Sequence, residues 1–176
     1  MNRRTPELDA VLERIHKKLI AKHVLLGEPA TLQKLRAFES SYRVSLPSEF
    51  RHFLLKIGSS CQWRPGSAPF VAPLLDCQTP EKLALPFPFE NEWIWEFEEE
   101  PSHDIQEVEN GTFPLVDIGC GIGFHLIVTG PCKGEVWHFS EMGIQPCCPR
   151  QSFLGWLEKW LDSDGDADYF EEYPYD

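Results

Sequence analysis

The chain has 176 residues, of which 42% are hydrophobic and 12% aromatic, which is the composition of a globular protein rather than a disordered one. A chain of this length is typical of one domain with one hydrophobic core. Its net charge of −12 disfavours direct binding to the phosphate backbone of nucleic acid. No apolar run approaches the ~20 residues that a membrane-spanning helix needs, so we expect no membrane association. The N-terminus shows no apolar signal region, and we therefore expect a cytoplasmic protein whose six cysteines are free thiols.

The first third of the chain predicts three helices, because apolar residues recur there at the spacing of one helix face. The first helix is predicted over residues 6–23 and the second over 32–42, with Thr31 placed to cap it. The third is predicted within residues 46–58, which begin with Leu-Pro-Ser and end in glycine. Residues 59–92 are rich in proline, glycine and serine, and we expect an irregular connection that holds one or two short strands.

Residues 114–139 predict an antiparallel meander of three strands. β-Branched and aromatic runs at 115–118, 122–129 and 135–139 favour strands, and glycine clusters separate them where the chain must reverse. Alternate side chains of the middle strand are expected on opposite faces of the sheet. One face would carry Phe124, Leu126 and Val128, and the other would carry His125, Ile127 and Thr129.

The last part of the chain predicts a closing helix and then a charged tail. Apolar residues from Phe153 to Leu161 lie on one helix face. Residues beyond 162 are mostly acidic. We therefore predict a single domain over residues 1–162 and an acidic C-terminal tail over 163–176.

Three of these segments occur in an order and spacing that resemble a known family. They are the helix at 46–54, the glycine turn at 119–121 with the strands that follow it to Trp137, and the closing helix at 152–161. Together they span about residues 30–162 and resemble the SUKH superfamily, the group that joins the yeast cell-wall-synthesis regulator to bacterial toxin-immunity proteins. The resemblance implies an α+β fold, in which N-terminal helices and a C-terminal helix pack on a mostly antiparallel meander sheet.

The resemblance also implies a function in binding rather than in catalysis. Many members of the superfamily are encoded beside secreted polymorphic toxins and neutralise them in the cytosol by direct contact. The superfamily has no catalytic motif, so the resemblance implies no catalytic residue and no enzyme. The alternative that it leaves open is a regulatory protein-binding scaffold related to the yeast regulator.

The cysteine, histidine and glycine spacings favour neither a metal nor a cofactor. The cysteines at 120, 132, 147 and 148 lack the close pairs of a zinc site. The acidic run from Asp162 resembles the start of a calcium loop, but the sixth position is Ala167 and the twelfth is Tyr173. The glycines at 119, 121 and 123 precede a strand rather than the helix of a nucleotide site. We therefore predict no metal and no cofactor.

A cysteine-dependent enzyme remains a separate alternative. Cys120 is followed by His125 in the same strand region and by His138 in the next one. A thiol nucleophile would need a histidine within about 3 Å and a third group to orient it. The glycines on either side of Cys120 favour a tight turn instead.

Charge is strongly segregated along the chain. Lys and Arg exceed Asp and Glu in residues 1–56, whereas residues 90–109 hold nine acidic residues and no Lys or Arg. A second acidic block covers residues 158–176. Such a block is most often a solvated face, but it also costs self-repulsion in the folded state.

The segment from Trp93 to Asp104 is the predicted partner-binding site. Trp93, Trp95 and Phe97 alternate, as they would on one face of a strand, and their simplest role is to complete the core. The carboxylates beside them would attract a basic partner. We therefore predict that the chain binds a cognate toxin, basic and of the nuclease type, through Trp93, Trp95, Glu96, Glu98, Glu99, Glu100 and Asp104.

Overall fold

The computed structural model describes residues 4–63, 80–100 and 102–170. Within them the chain forms four α-helices, one two-stranded sheet and one four-stranded sheet. The helices are α1 (Arg4–Ala21), α2 (Leu32–Tyr42), α3 (Ser48–Lys56) and α4 (Phe153–Asp162). The strands are β1 (Leu25–Leu26), β2 (Cys61–Gln62), β3 (Thr112–Gly119), β4 (Ile122–Ile127), β5 (Glu135–Phe139) and β6 (Ile144–Ser152). Short 3₁₀ helices lie at Pro80–Lys82, Trp95–Phe97 and Ile105–Glu109. The predicted α+β class is confirmed.

The helices begin and end where local chemistry satisfies their free backbone groups. The Oγ1 atom of Thr31 accepts a 3.2 Å hydrogen bond from the backbone N–H of Lys34, which confirms Thr31 as the cap of α2. Arg43 then takes a left-handed conformation with φ of 53° and ends that helix. α3 begins at Ser48, directly after Pro47, which occupies the N-cap position without a side-chain hydrogen bond.

The large sheet is an antiparallel meander in the order β3-β4-β5-β6. The β3–β4 turn consists of Cys120 and Gly121, which have φ of 54° and 71°. Two central residues with positive φ are the mark of a type I′ turn, whose twist matches that of the strands it joins. The three predicted strands are confirmed, and β6 is a strand that the sequence analysis did not predict.

Both faces of this sheet are covered. Phe124, Leu126 and Val128 pack into the main core with the helices, where the largest buried side chains include Phe50, Phe53, Phe153 and Trp156. Ile127 lies on the opposite face, in a second core cluster with Phe87, Phe89, Trp93, Trp137, Phe139 and Ile144. The predicted alternation along β4 is therefore confirmed, and the second face is covered by the loop segments that follow residue 80.

The basic first helix is neutralised by acidic residues near the end of the chain. Glu158 in α4 accepts two 2.7 Å hydrogen bonds from Arg14 and lies 2.8 Å from Lys18 Nζ. Lys18 also donates to Asp162 at 2.6 Å, and Lys22 is paired with Asp164. The pairs of Glu158 and Asp162 join α1 to α4, and the pair of Lys22 with Asp164 joins the residues that follow these helices.

The described part of the predicted tail, residues 163–170, lies against the main core. Tyr169 is 3% exposed, and its hydroxyl donates a 3.0 Å hydrogen bond to the carbonyl of Trp156. Its own carbonyl accepts from the backbone N–H of Cys148. Residues 171–176 lie outside the described residues. In the part of the chain that the structure describes, no helix is both long and apolar enough to cross a membrane.

Candidate protein-binding surface

The predicted strand at Trp93 to Phe97 is wrong. Trp93 makes a single antiparallel bridge with Ile144 of β6, and the chain then turns into the 3₁₀ helix at Trp95–Phe97. In an antiparallel pairing, the residues after Trp93 would have to pair with the residues before Ile144. Those residues form the β5–β6 turn rather than a strand, because β6 begins at Ile144. The backbone N–H of Glu96 donates to the carbonyl of Met142 in that turn, at 3.2 Å.

The three alternating aromatic residues consequently have different environments. Trp93 is 5% exposed and stacks on Phe89, with ring centroids 5.4 Å apart and planes 12° apart. Trp95 is half-buried, and its indole N–H donates a 2.8 Å hydrogen bond to the carbonyl of Glu141. Phe97 is 84% exposed. Trp93 therefore completes the second core cluster, whereas Phe97 has no such role.

Glu98 is held in place by three hydrogen bonds. It accepts from the indole N–H of Trp93 at 3.0 Å, and from the backbone N–H and hydroxyl of Ser102 at 2.6 and 3.2 Å. The Ser102 backbone bond first, and the Trp93 bond second, lower the pKa of Glu98 below its usual value. This carboxylate is thus kept ionised and fixed within the loop.

The other predicted carboxylates lie on the surface. Glu96, Glu99 and Glu100 are exposed, and none of them takes part in an ion pair among the described residues. Asp104 is also exposed, and it accepts a 2.9 Å hydrogen bond from the backbone N–H of Gln106 at the start of a 3₁₀ helix. Among the predicted site residues, Trp93 and Glu98 are therefore structural, Trp95 is half-buried, and Glu96, Glu99, Glu100 and Asp104 are exposed.

The β5–β6 turn extends this surface with residues that the sequence analysis missed. Met142 is 51% exposed, and Glu141 beside it is exposed as well. Sequence patterns could not place this turn next to residues 95–100, because the contact depends on the pairing of distant elements. We call residues 95–100 with Glu141 and Met142 the acidic end of the molecule. Its most exposed apolar side chain is Phe97, which Glu96 and Glu98 flank along the chain.

The β3–β4 turn lies against the same end of the sheet. A Cβ atom on Gly121 would lie 3.0 Å from Cγ of Glu141, so the two turns are in contact. Ile118 and Ile122 on either side of the β3–β4 turn are 61% and 36% exposed. Two further exposed apolar side chains therefore lie beside the acidic end.

The cysteine and histidines of the enzyme alternative do not converge. Phe124 and His138 are cross-strand partners on the main-core face, whereas His125 is the partner of Trp137 on the opposite face. The imidazole of His125 stacks on Phe139 at 4.0 Å, and burial lowers its pKa to about 4. Because the two histidines lie on opposite sides of the sheet, they cannot serve one thiol at Cys120.

The candidate calcium residues are engaged in a different way. Asp162 and Asp164 accept hydrogen bonds from Lys18 and Lys22. Within residues 4–63, 80–100 and 102–170, no three His, Cys, Asp or Glu side chains are arranged as ligands of one metal ion.

An α+β domain with exposed aromatic and acidic side chains at one end of its sheet has the features of a protein-binding module. The chain belongs to the SMI1 / KNR4 family (SUKH-1), whose model matches residues 29–171. This match confirms the resemblance drawn from the sequence. The family comprises immunity-type and regulatory proteins that bind protein partners and are generally not enzymes. No curated protein and no solved structure was found to match the chain.

Proposed function

We propose that the protein is a non-enzymatic immunity protein that binds a cognate polymorphic toxin in the cytosol and neutralises it. The single observation that carries this proposal is Phe97, which is 84% exposed beside the carboxylates of Glu96, Glu99 and Glu100, none of which is paired with a described residue. A large aromatic side chain in that position gains free energy only when another surface covers it. Aromatic anchors surrounded by a polar rim are typical of protein interfaces.

The charge of this surface supports a basic, nuclease-type toxin as the partner. A nuclease holds its substrate through basic side chains, because each phosphate of a nucleic acid carries a negative charge. An acidic surface would occupy such a groove and exclude the nucleic acid, so that inhibition is stoichiometric occlusion. Complementary charge would also accelerate association, and this acceleration would weaken as salt screens the charges.

The proposal is tested by co-expression with the toxin candidates encoded beside the gene. The wild-type protein is expected to restore growth and to co-purify with one of them. Changing Glu96, Glu99 and Glu100 together to Lys, or Phe97 to Ala, is expected to abolish or strongly weaken both effects. These side chains are exposed, so circular dichroism should show that the variants fold normally.

A matched control separates this surface from net charge alone. Changing Glu7, Glu28 and Asp166 together to Lys alters three exposed carboxylates far along the chain from residues 95–100 and shifts the net charge by the same amount as the triple change. This variant should still protect against the toxin. Absence of protection by the wild-type protein, or protection that survives the triple change, would contradict the proposal. Co-purification with a cellular protein that is not toxic would instead favour the regulatory scaffold.

A further inference from the structure

A separate cavity opens beside the acidic end, in the loop from Pro88 to His103. It has a volume of about 320 Å³, at the lower end of the range for ligand pockets. Its aromatic lining consists of Phe89, Trp93 and His103. The His103 ring lies 5.2 Å from each of the other two rings and nearly perpendicular to them, at 78° and 77°. Phe89 and Trp93 are almost fully buried and form the floor, whereas His103 is exposed and supplies the accessible aromatic ring.

The charged lining of this cavity is entirely acidic. Glu90, Glu92 and Glu98 are among its lining residues, and no Lys or Arg lines it within the part of the chain that the structure describes. Glu90 and Glu92 are exposed, and neither takes part in an ion pair among the residues that the structure describes. Glu98 is fixed by the hydrogen bonds from Trp93 and Ser102. Carboxylates beside the exposed His103 ring favour a cation that can pair with the carboxylates and lie against the ring.

Arg150 contacts the wall of the pocket through the backbone of Glu90, but its other contacts lie outside the pocket. Arg150 donates to the carboxylate of Glu135 at 2.7 Å and to the backbone carbonyl of Glu90. Its guanidinium also lies over the ring of Trp137, 5.8 Å from the centroid. Arg150 therefore borders the pocket without neutralising the carboxylates of Glu90 and Glu92.

We propose that this pocket receives an arginine side chain of the protein partner. A guanidinium group is planar and can contact an aromatic ring while donating two parallel hydrogen bonds to a carboxylate, which an ammonium group cannot do. Arginine is also enriched at protein interfaces. The inference deepens the proposed function, on which it rests for the identity of the partner.

The experiment uses the full chain and N-acetyl-arginine methylamide as the probe, followed by NMR of the Trp93 indole and the His103 ring. Saturable shifts are expected at these two residues. The corresponding citrulline derivative has nearly the same shape without the charge, and it should cause no saturable shift. The lysine derivative should bind more weakly than the arginine derivative.

Variants of the exposed carboxylates give the second test. Glu90→Gln combined with Glu92→Gln should weaken probe binding about threefold to tenfold, because each exposed ion pair contributes up to about fivefold in a binding constant. Glu28→Gln is the control and should leave binding unchanged. Equal shifts with citrulline, equal or tighter binding of the lysine derivative, or unchanged binding by the double variant would overturn the assignment.

The outcome is distinguishable from that of the proposed function. Probe binding at Trp93 and His103 without toxin protection would leave the pocket assigned and refute the immunity role. Toxin protection without saturable probe binding would refute the pocket and leave the role intact.

Discussion

Glu158 is the carboxylate on which the attachment of α1 to α4 depends most, and Glu158→Gln tests that attachment. Its contacts with Arg14 and Lys18 lower its pKa from 4.5 to about 2, with the Arg14 hydrogen bond the largest cause. Since one pKa unit corresponds to about 1.4 kcal/mol, this shift alone would contribute at most roughly 3 kcal/mol. The side chain of Glu158 is 20% exposed and that of Arg14 is 52% exposed, so solvent screening lowers the expected loss to roughly 1–3 kcal/mol.

The pH dependence of this loss has a defined sign. A carboxylate whose pKa falls on folding stabilises the protein fully above its unfolded pKa of about 4.5, and this stabilisation is lost as the pH falls through about 2. The difference between wild type and Glu158→Gln should therefore be largest at pH 7 and clearly smaller at pH 3.

Urea unfolding followed by tryptophan fluorescence measures this difference at both pH values. Glu13→Gln is the control, because the carboxylate of Glu13 forms an exposed ion pair with Lys17, one turn further along α1, and does not join two helices. That variant should show no measurable change. A loss below about 0.5 kcal/mol for Glu158→Gln, or a loss that is the same at pH 7 and pH 3, would refute the reasoning.

Three further measurements test other parts of the structure. Phe97→Ala should change the free energy of unfolding by less than about 0.5 kcal/mol, because the side chain is exposed. Trp93→Ala should lower it by about 3–5 kcal/mol in the same urea assay, because that side chain is buried. Similar losses for the two variants would contradict the assignment of one side chain to the core and the other to the surface. Because the pKa of His125 falls from 6.5 to about 4 on folding, His125 reduces stability as the pH drops below 6.5, and His125→Gln should flatten that part of the stability curve. If stability falls with pH below 6.5 as steeply in His125→Gln as in the wild type, His125 does not contribute to that pH dependence. Iodoacetamide should modify exposed Cys120 in the folded protein and leave Cys61 unmodified, since burial raises the pKa of Cys61 to about 12. Mass spectrometry of tryptic peptides measures both modifications, and faster modification of Cys61 than of Cys120 would contradict this prediction.

Local patterns predicted the elements whose formation depends on nearby residues. Helical spacing located the helices, Thr31 marked the start of α2, and the glycines on either side of Cys120 marked the β3–β4 turn. The family assignment also depended on these local segments, because their order along the chain is fixed. These predictions succeeded because capping and turn geometry require particular residues at particular positions.

Elements that depend on distant partners were not predictable in the same way. β6 contains Pro146 and Pro149, which disfavour strands, yet it forms at the sheet edge, where proline is tolerated. The strand expected at Trp93 fails because β6 offers it only one pairing position, at Ile144. Phe97 is exposed because the chain turns into a 3₁₀ helix after Trp93. The alternation of aromatic residues at 93, 95 and 97 does not indicate this turn.

The coverage of both sides of the sheet has a consequence for strand alignment. In a sheet with one solvent-exposed face, a shift of one strand by one residue would bring its polar side chains into the core. This free-energy penalty fixes the register between the strands. Here apolar side chains fill both sides of β4, so that penalty is smaller. The two-residue connection at Cys120 and Gly121 must therefore determine which residues of β3 and β4 lie opposite each other. A longer or stiffer connection there would displace Gly121 from Glu141 and alter the shape of the neighbouring contact surface.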